Sequence, residues 1–257
     1  MIVTTAGRTN EEYIKKAKAA ARELHIPYVA RRKQSIRSFF QEHDEVVVVG
    51  KEGIQLHHKD GREPYFFHPN LAMVRLKRLL SGKHDAFIEA ASLVEGDCFL
   101  DCTLGYASDS IVASYAVGDS GRVTGIEVIP VLAYITECGL QSFTDAPQEI
   151  ISAMRRVQVV NANHYDYLRN LSDKSVDVVY FDPMFEETIG ESSAMQILSP
   201  FASFLTMTEE TLTEAKRVAR KKIVLKDHFR SPRFDQFGFR QHVRKSSKFH
   251  YGTIECQ

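Results

Sequence analysis

The order of apolar and polar residues divides the chain into two differently patterned parts. In the first part, Thr9 with Glu12 three residues later forms a capping box, which predicts the start of a helix. Apolar residues follow at helical spacing, at Ile14, Ala17, Ala21 and Leu24. The run Val46-Val47-Val48-Val49 is short, β-branched and closed by Gly50, which is typical of a buried strand. These segments predict a small α/β domain over residues 1–68.

A second pattern follows this domain. Residues 70–80 carry apolar positions at helical spacing and Gly82 comes after them, so we expect a linking helix within residues 69–84. Over residues 85–257, strand-like runs alternate with helical segments, as in parallel βαβ units. The runs cover residues 98–102, 122–127, 157–161, 176–181, 222–226, 239–244 and 249–255. The sequence therefore predicts an α/β fold with a seven-stranded, mostly parallel sheet, helices on both faces and a closing antiparallel hairpin.

Composition favours a globular protein of the cytoplasm. Of the 257 residues, 44% are hydrophobic and 26% are charged, and the formal net charge is zero. No stretch approaches the roughly 20 apolar residues of a membrane span, and the N-terminus carries no targeting pattern. The four cysteines lack the spacing of a metal site, so we expect buried thiols, with no metal and no membrane partner. Nothing in the pattern indicates an oligomeric state.

Positive charge is concentrated in two regions. Between residues 216 and 248, twelve Lys or Arg residues are accompanied by only two acidic residues, and a second cluster covers Arg31-Arg32-Lys33. Basic regions of this kind contact phosphates in nucleic-acid-binding proteins, but they also occur on ordinary solvated surfaces. We take Arg230 and Arg233 as candidate substrate contacts within the longer region.

One turn has the composition of a cofactor-binding loop. Asp101 ends a predicted buried strand, Thr103 and Gly105 follow in the turn, and Ser108-Asp109 begins a helix. Glycine lets the backbone approach a ligand closely, and ligands of open α/β sheets bind beyond the carboxyl ends of the strands. The loop has one glycine where a dinucleotide fingerprint has several, and Asp109 could simply stabilise the first turn of its helix.

Polar residues also end the next two strands. Glu127 lies about twenty residues beyond the loop, where a carboxylate can bind ribose hydroxyls. This arrangement serves NAD and S-adenosylmethionine (SAM) equally, so it indicates an adenosine cofactor without choosing one. Asn163 and His164 follow the third strand and could hold the adenine, although His164 would also suit a helix cap or the surface.

The fourth strand runs directly into Asp182-Pro183-Met184-Phe185. A carboxylate followed by proline is held rigidly at the strand end, and an aromatic ring three residues on can stack on a flat ligand. We therefore predict that Asp182 and Pro183 orient an exocyclic amino group while Phe185 stacks on the base that carries it. The alternative is a turn that uses Asp-Pro chemistry with a core phenylalanine. Lys226, which ends the fifth strand, is either a phosphate or substrate contact or an ordinary strand-end lysine.

From Asp85 onward the chain resembles the 16S ribosomal RNA guanine methyltransferases, which modify the guanine 2-amino group. The resemblance rests on Asp101-Cys102-Thr103-Leu104-Gly105 with Ser108-Asp109, on Glu127, on Asp182-Pro183-Met184-Phe185, on Lys222-Ile223-Val224-Leu225-Lys226 and on Phe249-His250-Tyr251-Gly252. It implies a Rossmann-like class I methyltransferase fold and SAM as the cofactor. The cofactor contacts that it implies are Ser108, Asp109, Glu127, Val128, Asn163, His164 and Asp182.

The chain departs from this family at several positions. Ala107, Ser108 and Glu186 stand where the family has glycine, arginine and proline. Glu186-Glu187 beside the predicted catalytic loop would repel phosphates, which bears on an RNA substrate. As a whole, the chain is similar to a branch of uncharacterised bacterial methyltransferase-like proteins, which indicates no substrate.

The leading hypothesis is a SAM-dependent methyltransferase that acts on a nucleobase amino group, with ribosomal RNA, in particular that of the small ribosomal subunit, as the partner. DNA adenine, a small molecule or a protein remain alternative substrates. A noncatalytic methyltransferase-like module that binds RNA as an assembly factor is a further alternative. An NAD-dependent oxidoreductase would account for Asp101 and Glu127 but gives no reason for the segment that begins at Asp182.

Overall fold

The protein is described by a computed structural model that covers residues 1–183, 207–245 and 247–256. Its N-terminal part contains a four-stranded sheet with two helices. The elements are β1 (Ile2–Thr5), α1 (Glu11–Glu23), α2 (Ile36–Phe39), β2 (Glu45–Gly50), β3 (Gly53–His58) and β4 (Tyr65–Phe66). Strand β1 runs parallel to β2, while β3 is antiparallel to both β2 and β4. The sheet thus contains the buried valine strand that the sequence predicts.

Helix α1 begins one residue later than the capping box predicts. Its N-cap is Asn10, whose side chain accepts a hydrogen bond from the backbone N–H of Tyr13 at 2.8 Å. The Thr9 hydroxyl instead points to the Asn10 carbonyl at 3.5 Å. The predicted role of Thr9 is therefore wrong, because asparagine caps at least as well as threonine and lies directly before Glu11 and Glu12.

The second part contains the larger sheet. Its helices are α3 (Asn70–Leu80), α4 (Ala86–Ala91), α5 (Ser108–Val117), α6 (Pro130–Ser142), α7 (Gln148–Arg156), α8 (His164–Arg169), α9 (Glu209–Val218) and α10 (Arg233–Gln236). Its strands are β5 (Cys98–Asp101), β6 (Arg122–Glu127), β7 (Val157–Asn161), β8 (Val176–Phe181), β9 (Ala219–His228), β10 (Arg240–His242) and β11 (Phe249–Glu255). Within the described ranges these strands form one sheet of seven.

The strand order of this sheet is β7-β6-β5-β8-β9-β11-β10. Strands β5 to β9 are parallel, β11 is antiparallel to β9, and β10 is antiparallel to β11. The predicted parallel sheet with a closing antiparallel hairpin is confirmed. The chain leaves β5 towards β6 on one side and later returns to β8 on the other, which creates a switch point at the carboxyl end of β5. Open α/β sheets bind ligands at such points.

Apolar side chains cover both faces of the larger sheet. Residues of α3, α4, α5 and α7 form one buried cluster with one face, and residues of α8, α9 and α10 form a second cluster with the other. Strand β8 is buried along its whole length, as expected for a strand covered on both sides. In the described part of the chain, no helix is long and apolar enough to cross a membrane.

Helix α6 joins the two sheets. Its residues Val131, Leu132 and Ile135 belong to the same buried cluster as Val47 and Leu56 of the N-terminal sheet. Close packing continues at Gly139 of α6, where an added Cβ would clash with the ring of Phe67. The N-terminal sheet therefore packs directly beside the carboxyl edge of the larger sheet.

Candidate functional site

A cleft of about 270 Å³ opens at the carboxyl ends of β5, β6, β8 and β9. Its walls bring together most of the residues that the sequence predicts for cofactor and catalysis. These are Asp101, Thr103, Gly105, Ser108, Asp109, Glu127, Asp182, Pro183 and Lys226. The volume approaches the lower end of the range typical of small-molecule sites, about 300 Å³.

Asp101 holds the loop that follows β5. Its Oδ1 accepts hydrogen bonds from the Thr103 backbone N–H at 2.9 Å and from the Thr103 hydroxyl at 3.2 Å, and its Oδ2 accepts one from the Ser110 hydroxyl at 2.7 Å. Burial raises the pKa of Asp101 to about 7. The carboxyl group therefore fixes the loop and the start of α5. Asp101 contributes to the cleft by shaping this wall.

Glu127 spans the same loop from the neighbouring strand. Its Oε2 accepts from the Gly105 backbone N–H at 3.2 Å, and its Oε1 accepts from the Ile129 N–H at 3.0 Å. Burial raises the pKa of Glu127. Gly105 adopts a positive φ of 50°, and a Cβ built there would meet nothing nearer than the Thr103 carbonyl at 4.0 Å. An open backbone surface thus lies beside an oriented carboxylate.

Asp182 extends from the end of β8 into the cleft. Its backbone N–H donates to the Thr103 hydroxyl at 2.7 Å, which ties the catalytic candidate to the cofactor loop. Burial raises the pKa of Asp182 to about 6, although the nearby ammonium of Lys226 opposes this shift. Pro183 is buried beside it and lines the cleft. The predicted stacking residue Phe185 lies outside the described residues.

Lys226 lies between two carboxylates. Its Nζ is 2.6 Å from Oδ2 of Asp182 and 3.1 Å from Oδ2 of Asp109. Asp109 also accepts hydrogen bonds from Arg75 at 2.5 Å and from the Tyr180 hydroxyl at 2.9 Å. Although burial disfavours its charge, Lys226 and Arg75 hold the pKa of Asp109 below the ordinary value. These contacts direct both Lys226 and Asp109 towards other residues of this chain.

Three implied cofactor contacts do not line the cleft. The Asn163 side chain caps α8 by accepting from the backbone N–H groups of Tyr165 at 2.8 Å and Asp166 at 3.3 Å. His164 is buried, and burial lowers its pKa to about 4. Val128 is half-buried against the cluster around α6. A role for these residues in adenine binding stays a prediction.

Carboxylates of the chain pair with about half of the cations in the basic region of residues 216–248. At least six of its cations form ion pairs within the chain, namely Arg217, Arg220, Lys221, Lys222, Lys226 and Arg233. Arg233 contacts the buried Asp227 at 2.9 Å, whereas the exposed Arg230 lies 5.0 Å from the ring centroid of Phe229. The charge pattern of the sequence therefore overstates the positive charge of the surface.

Cations nevertheless gather at one place on the carboxyl edge. The turn between β10 and β11 lies against the end of β9, because the Phe229 N–H donates to the Lys248 carbonyl at 2.9 Å. We call Arg230, Arg244, Lys245 and Lys248 the basic edge. Phe229 itself is 37% exposed. An aromatic ring and several cations thus lie at the carboxyl end of β9, beyond Lys226.

The N-terminal sheet contributes cleft residues that the sequence did not suggest. The ring of Tyr65 stacks on Tyr106 with centroids 4.6 Å apart, and its hydroxyl donates to the Gly105 carbonyl at 3.3 Å. Leu71 of α3 also lines the cleft. No pattern in the sequence links the first sheet to the loop after β5. Sequence reasoning could therefore not identify these residues.

Comparison with known proteins places this site in context. A family model described as "Putative SAM-dependent methyltransferase" matches residues 31–249. An uncharacterized protein of Bacillus subtilis (strain 168), YpiP, is 46% identical over 255 residues and aligns with 99% of each chain. A SAM-dependent methyltransferase from Neisseria gonorrhoeae has a similar structure, with a TM-score of 0.59, 14% identity and coverage of 99% of this chain and 96% of that one.

Relatives with a named RNA substrate match a smaller part. A ribosomal RNA small subunit methyltransferase J from Shewanella amazonensis is 32% identical over 162 residues, which is 60% of this chain and 63% of that protein. The corresponding protein from Acinetobacter baumannii (strain AYE) is 28% identical over 165 residues, 58% of this chain and 57% of its own length. This chain therefore spans about three fifths of the length of these relatives.

Proposed function

Since the chain belongs to the family of SAM-dependent methyltransferases, we propose that it methylates an exocyclic amino group of a nucleobase in ribosomal RNA. The observation that carries the proposal is Asp182. Its carboxylate lies at the end of β8, inside the cleft that also contains Glu127 and Gly105. A hydrogen-bond acceptor beside a cofactor site suits a nucleophile that bears N–H groups.

The residues of the cleft fit SAM. The Glu127 oxygens accept the backbone N–H groups of Gly105 and Ile129, which aims the carboxylate at the cleft, where it can accept a hydrogen bond from a ribose hydroxyl. The space beside Gly105 admits a close backbone contact. When bound, SAM supplies an electrophilic methyl group.

Asp182 orients the amino group of the substrate. Its carboxylate accepts a hydrogen bond from one N–H, so that the nitrogen lone pair points at the methyl carbon. When the amino nitrogen takes the methyl group of bound SAM, the bond between that methyl group and the sulfur would break and S-adenosylhomocysteine would leave. The nitrogen would then be positively charged, and the Asp182 carboxylate is placed to receive the proton that it releases. A pKa of about 6 leaves Asp182 predominantly ionised at neutral pH and close enough to accept that proton.

Two observations support RNA as the substrate. Similar proteins carry the name ribosomal RNA small subunit methyltransferase J. The basic edge and the exposed ring of Phe229 also offer phosphate and stacking contacts at the same carboxyl edge of the sheet as Asp182.

The test uses SAM with a radiolabelled methyl group and small ribosomal subunits from cells that lack this protein. We expect label in the RNA and, after nuclease digestion, a base methylated on its amino nitrogen by mass spectrometry. Asp182→Asn should lower the rate by at least about 100-fold, because the nucleophile loses its alignment. Asp145→Asn, at an exposed position, is the matched control.

Calorimetric titration with SAM tests cofactor binding separately from the identity of the substrate. Asp145→Asn should bind SAM as the wild type does, and Asp182→Asn should lose far more in methyl-transfer rate than in SAM affinity, whereas Glu127→Ala should bind SAM weakly. Label in DNA or protein, or SAM binding without any methyl transfer to RNA, would refute the proposed substrate.

A further inference from the structure

Lys226 is the cation nearest to Asp182 among the described residues. Its ammonium lies 2.6 Å from Asp182 and 3.1 Å from Asp109, and only 17% of its side chain is exposed. Two of its three N–H donors are thus engaged by carboxylates of this chain. The geometry directs this lysine towards Asp182 and Asp109.

The position of the ammonium is set independently of Asp182. Asp109 is fixed by Arg75 and by the Tyr180 hydroxyl, and Arg75 is fixed in turn by two hydrogen bonds to Asp85, each 2.8 Å long. The side chains of Arg75, Asp85 and Asp109 are each at most 13% exposed. This anchored chain of charges ends at Lys226 and holds the ammonium beside the carboxylate of Asp182.

Asp182 needs such a cation because its other neighbours disfavour its charge. Burial raises the pKa of the Asp182 carboxyl, and the carboxylates of Asp109 and Asp227 raise it further, while Lys226 lowers it. The ionisable groups that act on this part of the cleft from the surrounding strands and α5 are Asp101, Asp109, Tyr180, Lys226, Asp227 and Tyr251. Arg75 of α3 acts on Asp109 and Tyr251 as well, and Lys226 is the cation that contacts Asp182 directly.

We propose that Lys226 is a positioning residue that keeps Asp182 ionised and aimed into the cleft, with Arg75 and Asp109 as its anchor. The catalytic meaning of this inference rests on the proposed function, in which Asp182 binds the amino group. The electrostatic part does not, because it concerns residues of this chain alone.

The test measures the ionisation of Asp182 directly. The protein is labelled with ¹³C at the aspartate carboxyl carbons, and the Asp182 signal is identified by its loss in Asp182→Asn. In Lys226→Met we expect its apparent pKa to rise by at least about 1 unit, as when an opposite charge is removed at hydrogen-bond distance. Lys222→Met, which removes a buried lysine from the same strand and the same face of the sheet, should leave the value unchanged.

Lys226→Gln provides a second variant that keeps a hydrogen-bond donor without the charge, in case Lys226→Met fails to fold. Thermal unfolding identifies the variants that retain the native structure. An Asp182 titration that is unchanged in a folded Lys226 variant would overturn the inference, whatever the substrate of the protein is.

Activity gives an independent readout. In a Lys226 variant, the acidic limb of the rate profile for methyl transfer should move to higher pH by the same amount as the Asp182 titration, and Lys226→Arg should restore part of the wild-type profile. A uniform loss of rate with an unchanged pH profile would contradict a role through Asp182. If the wild type methylates no RNA, the proposed function fails while the NMR titration still decides the inference.

Discussion

At the scale of single residues, Asp101 makes the fold sensitive to pH. Its carboxyl is 1% exposed, and burial raises its pKa to about 7 in the folded protein, far above that of an unfolded aspartate. Between about pH 4 and pH 7, the folded state therefore binds a proton that the unfolded state has released. The contribution of this group to stability is fully present at low pH and is lost as the pH rises through about 7.

We predict that Asp101→Asn becomes more stable relative to the wild type as the pH rises from 5 to 8. Asparagine keeps the shape and the acceptor for Thr103 but has no proton to lose. The difference in free energy of unfolding should grow by at most about 1.4 kcal/mol per pH unit, as measured by urea denaturation at each pH. Asp145→Asn should show a constant difference, and a constant difference for Asp101→Asn would contradict the assigned pKa.

The sequence predicts the charged residues that line the cleft but not what each one does there. Asp101, Glu127 and Asp182 are identifiable because each directly follows a buried strand, and parallel strands end at one edge. The contact between Lys226 and Asp109 spans 117 positions in the sequence, so no local pattern indicates it. The sequence also suggests a phosphate contact for Lys226, because a solvent-facing and an inward-facing lysine look identical in sequence.

At the scale of elements, strand β4 supports the loop that follows β5, which is the predicted cofactor loop. The Tyr65 hydroxyl donates to the Gly105 carbonyl and lies 3.1 Å from the Thr136 hydroxyl, which donates to the same carbonyl at 2.9 Å. Residues of β4 and of α6 thus both bind the Gly105 carbonyl and hold it in place. This arrangement fixes the peptide that faces the predicted ribose site.

We predict that Tyr65→Phe weakens SAM binding by about 2- to 10-fold, the effect of one lost hydrogen bond of about 0.5–1.5 kcal/mol. Calorimetric titration measures the affinity. Tyr28→Phe, which alters another tyrosine of the N-terminal part outside the cleft, should bind SAM as the wild type does. Equal affinity for Tyr65→Phe and the wild type would show that β4 does not support the loop.

The elements themselves are largely predictable from sequence. Runs such as the valines of β2 and the apolar strand β8 are β-branched and bounded by turns, so their type is clear. The packing of the N-terminal sheet on α6 is not predictable, because both partners simply present an apolar face. The close fit of Gly139 against Phe67 joins positions more than seventy residues apart.

At the scale of the whole molecule, the zero net charge of the sequence conceals an uneven surface. Ion pairs neutralise much of the basic region, while the basic edge concentrates four cations near the cleft. We therefore predict a modest salt dependence for RNA binding, with a slope of log K against log salt concentration of about −3, as expected when four cations contact a single strand.

Fluorescence anisotropy with a labelled RNA oligonucleotide measures this slope. Replacing Lys245 and Lys248 with alanine should make it less negative by about 1.4, because two phosphate contacts are lost. The same change at the exposed Lys51 and Lys83 should leave it unaltered. A steep slope that does not respond to the first pair of substitutions would place the RNA elsewhere.

The walls of the cleft belong to both sheets, since Tyr65 of β4 lines it together with Glu127 of β6 and Asp182, which follows β8. A ligand that contacts both walls links them, so the free energy of its binding depends on the two sheets being packed together. By the same linkage, ligand binding stabilises the packing of the two sheets by as much free energy as that packing adds to ligand binding. Bound cofactor should accordingly slow proteolysis between β3 and β4, even though that segment lies outside the larger sheet.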